Sequence, residues 1–428
     1  MRGSWSIVAF TLLGFATAAP ADQWTRFRGL SGAGAGEAPT IGVPWTDADY
    51  NWKVELPGAG HGSPVVWGDR VYLTCGDPQT ARRTILCLGA ADGRTVWRRD
   101  DPSRTYRHHR DNSFATATPA VDAGGVVVTW TTPEEVVLLA LDLDGRPRWR
   151  RDLGPFVGPH GSGTSPILVG NLVVLANEQE DLKLLAKILG REDPEGAVGR
   201  SFLIGVDRNT GETRWQVPRR SALAAYSTPC LRRRDDGRDE LIFTSTGHGI
   251  TAIDPATGKV NWELDDVFTD RCVGSPVAAA GLVIATYGHG TRGERCVAVR
   301  PDSTDGQPPA LVYDVTRSVP LVPTPLVCDG RLLLWCDDGV VAWRDLTTGE
   351  EIWRRRVGGE FYGSPVRVGD RLFCIAKNGD VVVLAASDRF ELLARAPLGE
   401  PSFATPAVSG GVVYLRTRSH LFSLGGGS

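Results

Sequence analysis

The sequence predicts an all-β fold, an eight-bladed β-propeller of four-stranded antiparallel blades. Three observations carry this. Ser-Pro or Thr-Pro precedes a short apolar run eight times, at Ser63-Pro64, Thr118-Pro119, Ser165-Pro166, Thr228-Pro229, Ser275-Pro276, Thr324-Pro325, Ser364-Pro365 and Thr405-Pro406. Successive pairs lie 40 to 63 residues apart, the period of a supersecondary unit that cannot bury its own apolar face alone. Most units end in a Thr-Gly or Asp-Gly turn followed by a strand with a tryptophan, and the eighth stops one strand short.

From the N-terminus, residues 1–21 read as a signal peptide: Arg2 gives the positive charge, Ile7 to Ala16 a short apolar core, and Ala16-Thr17-Ala18 or Ala19-Pro20-Ala21 the small-residue cleavage site. The apolar run is too short to span a bilayer. No cysteine precedes Cys75, so no lipid-anchor cysteine is at hand and the expectation is an exported, periplasmic or secreted protein. Residues 22–50, with Trp24, Arg26, Arg28 and Gly29, fall outside the repeats and are expected to lie over one face.

The sixth unit shows the blade most clearly. Leu326 to Cys328 is a first strand ended by Asp329-Gly330, and Arg331 to Cys336 a second. Asp337-Asp338-Gly339 is a tight hairpin turn before a third strand, Val340 to Arg344. Thr347-Thr348-Gly349-Glu350 turns again into a fourth strand, Glu351 to Val357, carrying Trp353. Trp97, Trp149, Trp215 and Trp262 follow equivalent turns, where glycine supplies positive φ and aspartate bonds the turn amides. Tyr313 and Leu392 stand near the tryptophan position of the fifth and seventh units, which are degenerate copies. In blade three, 177–200 is an insertion whose centre, Leu182 to Leu189, reads as a short helix. The missing last strand is Asn51 to Leu56, with Trp52 in the expected place. Closure of this kind hides a sheet edge and makes 51–428 one domain.

Composition narrows the function. A formal net charge of −3 argues against nucleic-acid binding, which needs a strong basic patch. No run of 18 apolar residues is present to cross a membrane. Most of the eight cysteines sit in strand-like runs and read as buried small apolar residues, with Cys75–Cys87 and Cys328–Cys336 the best candidates for disulfides. Gly161-Ser162-Gly163-Thr164-Ser165 precedes a strand rather than opening a helix, so it is no phosphate loop. No nucleophile elbow occurs.

Strand alternation assigns loops to faces. The loops leading into first strands share one face with the turns between second and third strands. All seven histidines fall there: His61, His108, His109 and His160 in leading loops, His248, His289 and His420 at turns. Arg107, Arg110, Asn112, Tyr226, Arg271 and Tyr362 join them. This face is the candidate ligand or partner surface. No catalytic set and no metal site emerge; His108-His109 alone is a weak metal signal.

The stretch Ile253-Asp254-Pro255-Ala256-Thr257-Gly258-Lys259-Val260-Asn261-Trp262 resembles the tryptophan-docking motif of pyrroloquinoline-quinone (PQQ) repeat propellers. The eight units together, about 51–424, resemble the exported BamB-like, PQQ-like propellers, and YSTPC (226–230) and LRTRSHLF (415–422) look like their planctomycete branch. The resemblance implies a monomeric, non-catalytic binding or scaffold module, without a cofactor, meeting a protein or glycan partner in the cell envelope. Two alternatives stand beside it. A quinoprotein oxidoreductase would need PQQ, calcium, a catalytic aspartate and usually two adjacent cysteines, and no Cys-Cys pair is present. A carbohydrate-binding propeller would use the aromatic and basic mouth.

Overall fold

The computed structural model describes residues 23–36, 41–188, 199–301 and 309–426; the signal-peptide reading lies outside them. Eight antiparallel sheets of four strands form a ring, one of them extended by the short parallel strand Ala35–Gly36. Blade six runs Leu326–Cys328, Arg331–Trp335, Val340–Asp345 and Glu351–Arg356, within a residue of expectation at each end. Tyr50–Glu55 pairs with His420–Gly425, placing Trp52 opposite Ser423, so the N-terminal strand completes blade eight. The insertion forms the helix Leu182–Ile188; residues 189–198 of it lie outside the described residues. No helix among the described residues is long and apolar enough to cross a membrane.

The eight Ser/Thr-Pro pairs close a ring of hydrogen bonds round the central channel. Ser63 N donates to Thr118 Oγ1 at 2.9 Å, Thr118 N to Ser165 Oγ at 2.9 Å, and Ser165 N to Thr228 Oγ1 at 3.4 Å. Thr228 N, Ser275 N, Thr324 N and Ser364 N each reach the next hydroxyl at 2.9 to 3.1 Å. Thr405 N returns to Ser63 Oγ at 3.2 Å. Proline explains the motif: the residue before it is held extended and proline itself offers no N–H. The one amide at this level therefore turns sideways to the neighbouring blade.

Apolar layers fill the space between sheets. Between blades five and six, Leu282, Ile284 and Cys296 meet Leu332, Leu334 and Ala342. At the rim, each outer-strand tryptophan leans on the turn of the next blade. The Gly93 turn has φ +68°, and a Cβ there would stand 2.8 Å from the Trp52 indole; the same contact recurs at Gly145, Gly211 and Gly258. The indole N–H then bonds a turn carbonyl: Trp52 to Ala90, Trp97 to Leu143, Trp149 to Arg208, Trp215 to Pro255 and Trp353 to Ser387, at 2.8 to 3.0 Å.

The degenerate copies have a physical reason. Tyr313 docks on the Gly349 turn and its hydroxyl donates to Leu346 O at 2.7 Å, so it replaces tryptophan in both roles. In the seventh unit the register puts Ala394, opposite Val383, in the place that Trp353 holds opposite Trp343, while Leu392 before it is exposed; the third and fourth strands of blade eight come from opposite chain ends, so no continuous turn exists to receive an indole. Trp262 bonds Glu240 of its own blade at 3.3 Å instead.

Both disulfide expectations are corrected: all eight cysteines are free and buried. Cys75 packs in the layer on one side of blade one and Cys87 in the layer on the other. Cys328 pairs with Arg331 at one end of the strand Arg331–Trp335, and Cys336 follows its other end. In register Cys75 stands opposite Thr84 and Cys87 opposite Tyr72, and with a rise of about 3.3 Å per strand residue both pairs are offset beyond the Cα separation of about 7 Å that a bridge allows.

Two stability outcomes follow. Thr118→Val keeps the side-chain shape but leaves the buried Ser63 N–H unpaired, and is expected to cost about 1–3 kcal/mol. Trp215→Ala removes the docked indole and is expected to cost about 3–5 kcal/mol. Urea unfolding followed by tryptophan fluorescence measures the first, and circular dichroism the second.

Candidate functional site

The ring of hydroxyls forms the floor of a cup at one end of the channel, with a cavity volume of about 270 Å³. A strand alternates its side chains with period two. The residue two places before each Ser or Thr therefore points the same way, into the channel. All eight such residues line the cup: His61, Thr116, Gly163, Tyr226, Val273, Val322, Tyr362 and Phe403. Blades seven, eight and one contribute aromatic rings, and blades two and three small groups. His109, Asn112 and His160 occupy the side left open by the small groups.

The other end of the channel is filled by the N-terminal segment, which enters it rather than merely covering a face. Trp24 bridges to Val66, and Thr25 O accepts from Val121 N. Phe27 rises into the cup. Arg26 and Arg28 on either side of it are buried: Arg26 donates to Pro229 O, and Arg28 spreads over Gly32, Ala33, Thr324, Pro325 and Pro365 carbonyls. Both lack a carboxylate partner among these contacts. Burial accordingly lowers them to about 10 and about 9, and both stay cationic at neutral pH.

Aromatic contacts set the walls. His61 stacks on Phe403 at 4.4 Å, and Phe403 meets Tyr362 edge-on at 5.9 Å. Behind them Lys377 Nζ lies 4.5 Å from the Tyr362 ring centroid and 3.2 Å from Asp111 Oδ2. Burial raises the Asp111 carboxyl, but the Lys377 ammonium outweighs that and leaves it below its usual range. Opposite, His109 and His160 meet edge-on at 5.3 Å, with Tyr226 beyond His160 at 6.3 Å. Desolvation, with Arg416 nearby, pushes His61 down to about 3. Desolvation, with Arg271 nearby, pushes His160 down to about 4. Both rings are neutral at physiological pH.

Arg271 Nη2 pairs with Glu180 at 2.5 Å, while its buried Nη1 has no hydrogen-bond partner among the described residues. The buried Tyr226 hydroxyl also has none, and burial raises it well above its ordinary value.

The sequence-predicted residues therefore divide. His61, His109, Asn112, His160, Tyr226, Arg271 and Tyr362 converge on the cup. Asn112 there ties loops together, donating to His160 O at 2.6 Å. His108 packs edge-on against Phe114 at 4.7 Å, and Arg107 and Arg110 are exposed outside the lining. His248 is buried in another network, between the Arg220 amide and Glu263. His289 pairs with Asp270 at 2.6 Å and His420 with Glu400 at 2.7 Å, neither in the lining. Phe27, Asp111, Thr116, Phe403 and the eight hydroxyls were missed as lining, as was Lys377 behind them. The minus-two position of the repeat would have found Thr116 and Phe403.

Comparison with known proteins agrees with the architecture. A family profile described as outer membrane protein assembly factor BamB matches residues 45–201, 81–308 and 337–424. A curated protein of that name from Marinobacter adhaerens is 29% identical over 103 residues, 24% of this chain and 26% of that protein. That match spans about a quarter of the relative's length. The crystal structure of BamB from Moraxella catarrhalis aligns with a TM-score of 0.60 at 16% identity, covering 87% of this chain and 95% of the other. Quinohemoprotein alcohol dehydrogenase from Comamonas testosteroni aligns at 0.64 with 13% identity, covering 96% and 82%. At these identities the structural likeness is one of fold.

The titrations predict a sign. An unfolded histidine takes its proton near 6.5, whereas folded His61 and His160 refuse it until about 3 and about 4. The unfolded state thus binds more protons below 6.5, and stability falls as pH drops from 6.5 toward 4. Asp337 opposes this. Burial raises it to about 6 although it accepts from the Leu321 and Val322 amides, so its protonation below pH 6 favours the fold. Urea unfolding between pH 4.5 and 7.5 is expected to show a shallower pH slope in His61→Gln and a steeper one in Asp337→Asn.

Proposed function

From the premise that this chain belongs to the family of outer membrane protein assembly factor BamB, we propose that it is an exported, non-catalytic binding or scaffold module. Its working surface is the channel mouth, and its partner is a protein or glycan of the cell envelope. The supporting observation is the cup itself. Eight leading loops each bring one residue, seven of them with a side chain, to a cavity closed beneath by Phe27 and the hydroxyl ring. The groups there suit recognition rather than reaction: among the described residues Asp111 is the one lining carboxylate and is ion-paired with Lys377, which Glu360 shares, and none of them places a nucleophile in a hydrogen bond to His61 or His160.

Quinoprotein oxidation is the competing reading, favoured by the fold shared with an alcohol dehydrogenase. The residues present do not fit its calcium ion, which takes six to eight oxygen ligands with carboxylates among them. One ion-paired carboxylate faces the cup, and among the described residues no group of three His, Cys, Asp or Glu is placed to hold a metal. The free cysteines are dispersed in strands, so no adjacent pair caps the cavity. PQQ would have to be held without these elements.

Photo-crosslinkers at Arg107, Arg110 and Tyr362, with Arg354 on an outer strand as control, test the surface in intact envelopes. Adducts are expected from the three mouth positions and not from Arg354. Adducts from Arg354 alone would overturn the assignment of the working face. Titration with PQQ and calcium is expected to give no saturable binding and no dye-linked alcohol oxidation.

A further inference from the structure

The leading loop of blade two, residues 102–119, carries a turn that spans the mouth of the cup. Asn112 N closes this turn by donating to His109 O at 2.9 Å. On one side the turn meets the leading loop of blade three. His109 N and Asn112 Nδ2 donate to His160 O at 3.3 and 2.6 Å, Asn112 Nδ2 also reaches Ser162 O at 3.3 Å, and the His109 and His160 rings meet edge-on. On the other side Asp111 Oδ2 pairs at 3.2 Å with Nζ of Lys377, which sits in the turn between the second and third strands of blade seven. Blades three and seven stand opposite each other in the ring of eight. Four consecutive residues that bind both therefore bridge the mouth, and His109, Asp111 and Asn112 among them line the cup.

The two attachments are unequal. At blade three the main chain and two side chains take part, and Asn112 Oδ1 is fixed in turn by Ser113 N and Thr116 Oγ1. The stem of the loop is packed as well: Tyr106 and His108 meet Phe114 edge-on at 5.3 and 4.7 Å, and Arg83 lies 5.0 Å from the centre of the Phe114 ring. At blade seven the turn is held, among the described residues, through the Asp111 carboxylate, with Lys377 as its ion-pair partner. That partner is shared. Lys377 Nζ also lies 3.1 Å from Glu360 Oε2, on the leading loop of blade seven itself, and 4.5 Å from the centre of the Tyr362 ring. Release of Asp111 leaves Lys377 with a carboxylate and a ring on its own blade, so no cation is stranded. The Asp111 and Lys377 side chains keep 16% and 20% exposure, so water reaches the freed carboxylate.

We propose that the turn His109–Asn112 is a lid over the cup, hinged at blade three and latched at blade seven by an ion pair whose cation exchanges Asp111 for Glu360. The inference rests on the cup being the binding site and adds control of entry to it. Glu360 competes for the latch and so sets how often the lid opens.

A thiol inside the cup reports opening. Val322→Cys places one on the blade-six wall, and Val273→Cys on the blade-five wall is the second reporter should the first misfold. The eight native cysteines are buried and supply the slow background. The reporter chain is treated with dithiodipyridine, a neutral disulfide, and labelling is followed by absorbance. Asp111→Asn is expected to speed labelling about threefold, the size of a partly exposed ion pair. Glu360→Gln removes the competitor and is expected to slow it about twofold. Raising the salt from about 0.05 to about 0.5 M is expected to speed labelling of the parent but not of Asp111→Asn, since salt screens the charged latch. Breaking a rim ion pair with Arg354→Met is expected to leave the rate unchanged. An unchanged rate in Asp111→Asn, or an unchanged or faster rate in Glu360→Gln, overturns the proposal, because a merely structural ion-pair cluster would not answer the two changes with opposite signs. These rates need no ligand and judge the lid by itself, whereas the mouth crosslinks judge the binding role.

Discussion

The propeller depends on one interaction repeated eight times: a backbone N–H in one blade bonded to a hydroxyl in the next. Apolar layers between sheets supply most of the burial, but the hydrophobic effect is non-directional and does not fix how many sheets surround an axis. The eight repeats of the sequence set that number, and the hydroxyl ring joins them edge to edge. Each bond sets the offset between adjacent inner strands, and the last returns to the first donor's own residue, Ser63. With eight Ser/Thr-Pro repeats in the chain, every donor and acceptor at this buried level is paired only when all eight blades join the ring. Proline makes the arrangement obligatory, because it offers no N–H to compete and holds the preceding residue extended.

The same ring makes the cup. Since the Ser/Thr position is fixed in depth, the side chain two residues earlier is fixed in depth and direction as well. Variation at that position then changes the ligand surface without disturbing the scaffold. The result is uneven, with rings from blades seven, eight and one and only Thr116 and Gly163 from blades two and three. The N-terminal segment adds what no blade can, an apolar ring on the axis with two guanidinium groups beneath it. Buried cations without carboxylates are held here by carbonyls of the Pro-containing turns, whose partial negative charges substitute for an anion at short range.

Most of the fold was legible because its determinants are local and repeated. Proline, turn glycine and tryptophan each report a backbone requirement at a fixed offset, which is why Trp52 identified the closing strand before any coordinate did. The docking of Tyr313 was not legible, because it depends on the turn of the following blade, and the register that gives Ala394 rather than Leu392 the tryptophan place depends on a bulge between strands. The cysteine pairs failed for a related reason. Adjacent strands bring residues close only in register and on the same face, and Cys75 and Cys87 point to opposite sides of their sheet. The site was half legible. Topology placed His61, His160, Tyr226, Arg271 and Tyr362 on one end correctly, but it could not separate lining residues from those consumed by ion pairs, such as His248, His289 and His420. Lys377 and Asp111 come from different blades and meet only in three dimensions.

Closure of blade eight by Tyr50–Glu55 sets a timetable for the molecule. That strand's partner ends at Gly425, so the first strand of the ring waits for a partner far along the chain. Long-range pairing of this kind forms late and slowly. While the chain is still being synthesised, blades one to seven can assemble side by side, but the ring has two unsealed flanks and the Thr405-to-Ser63 bond is missing. The ring therefore locks into its final shape only when these two distant strands have met.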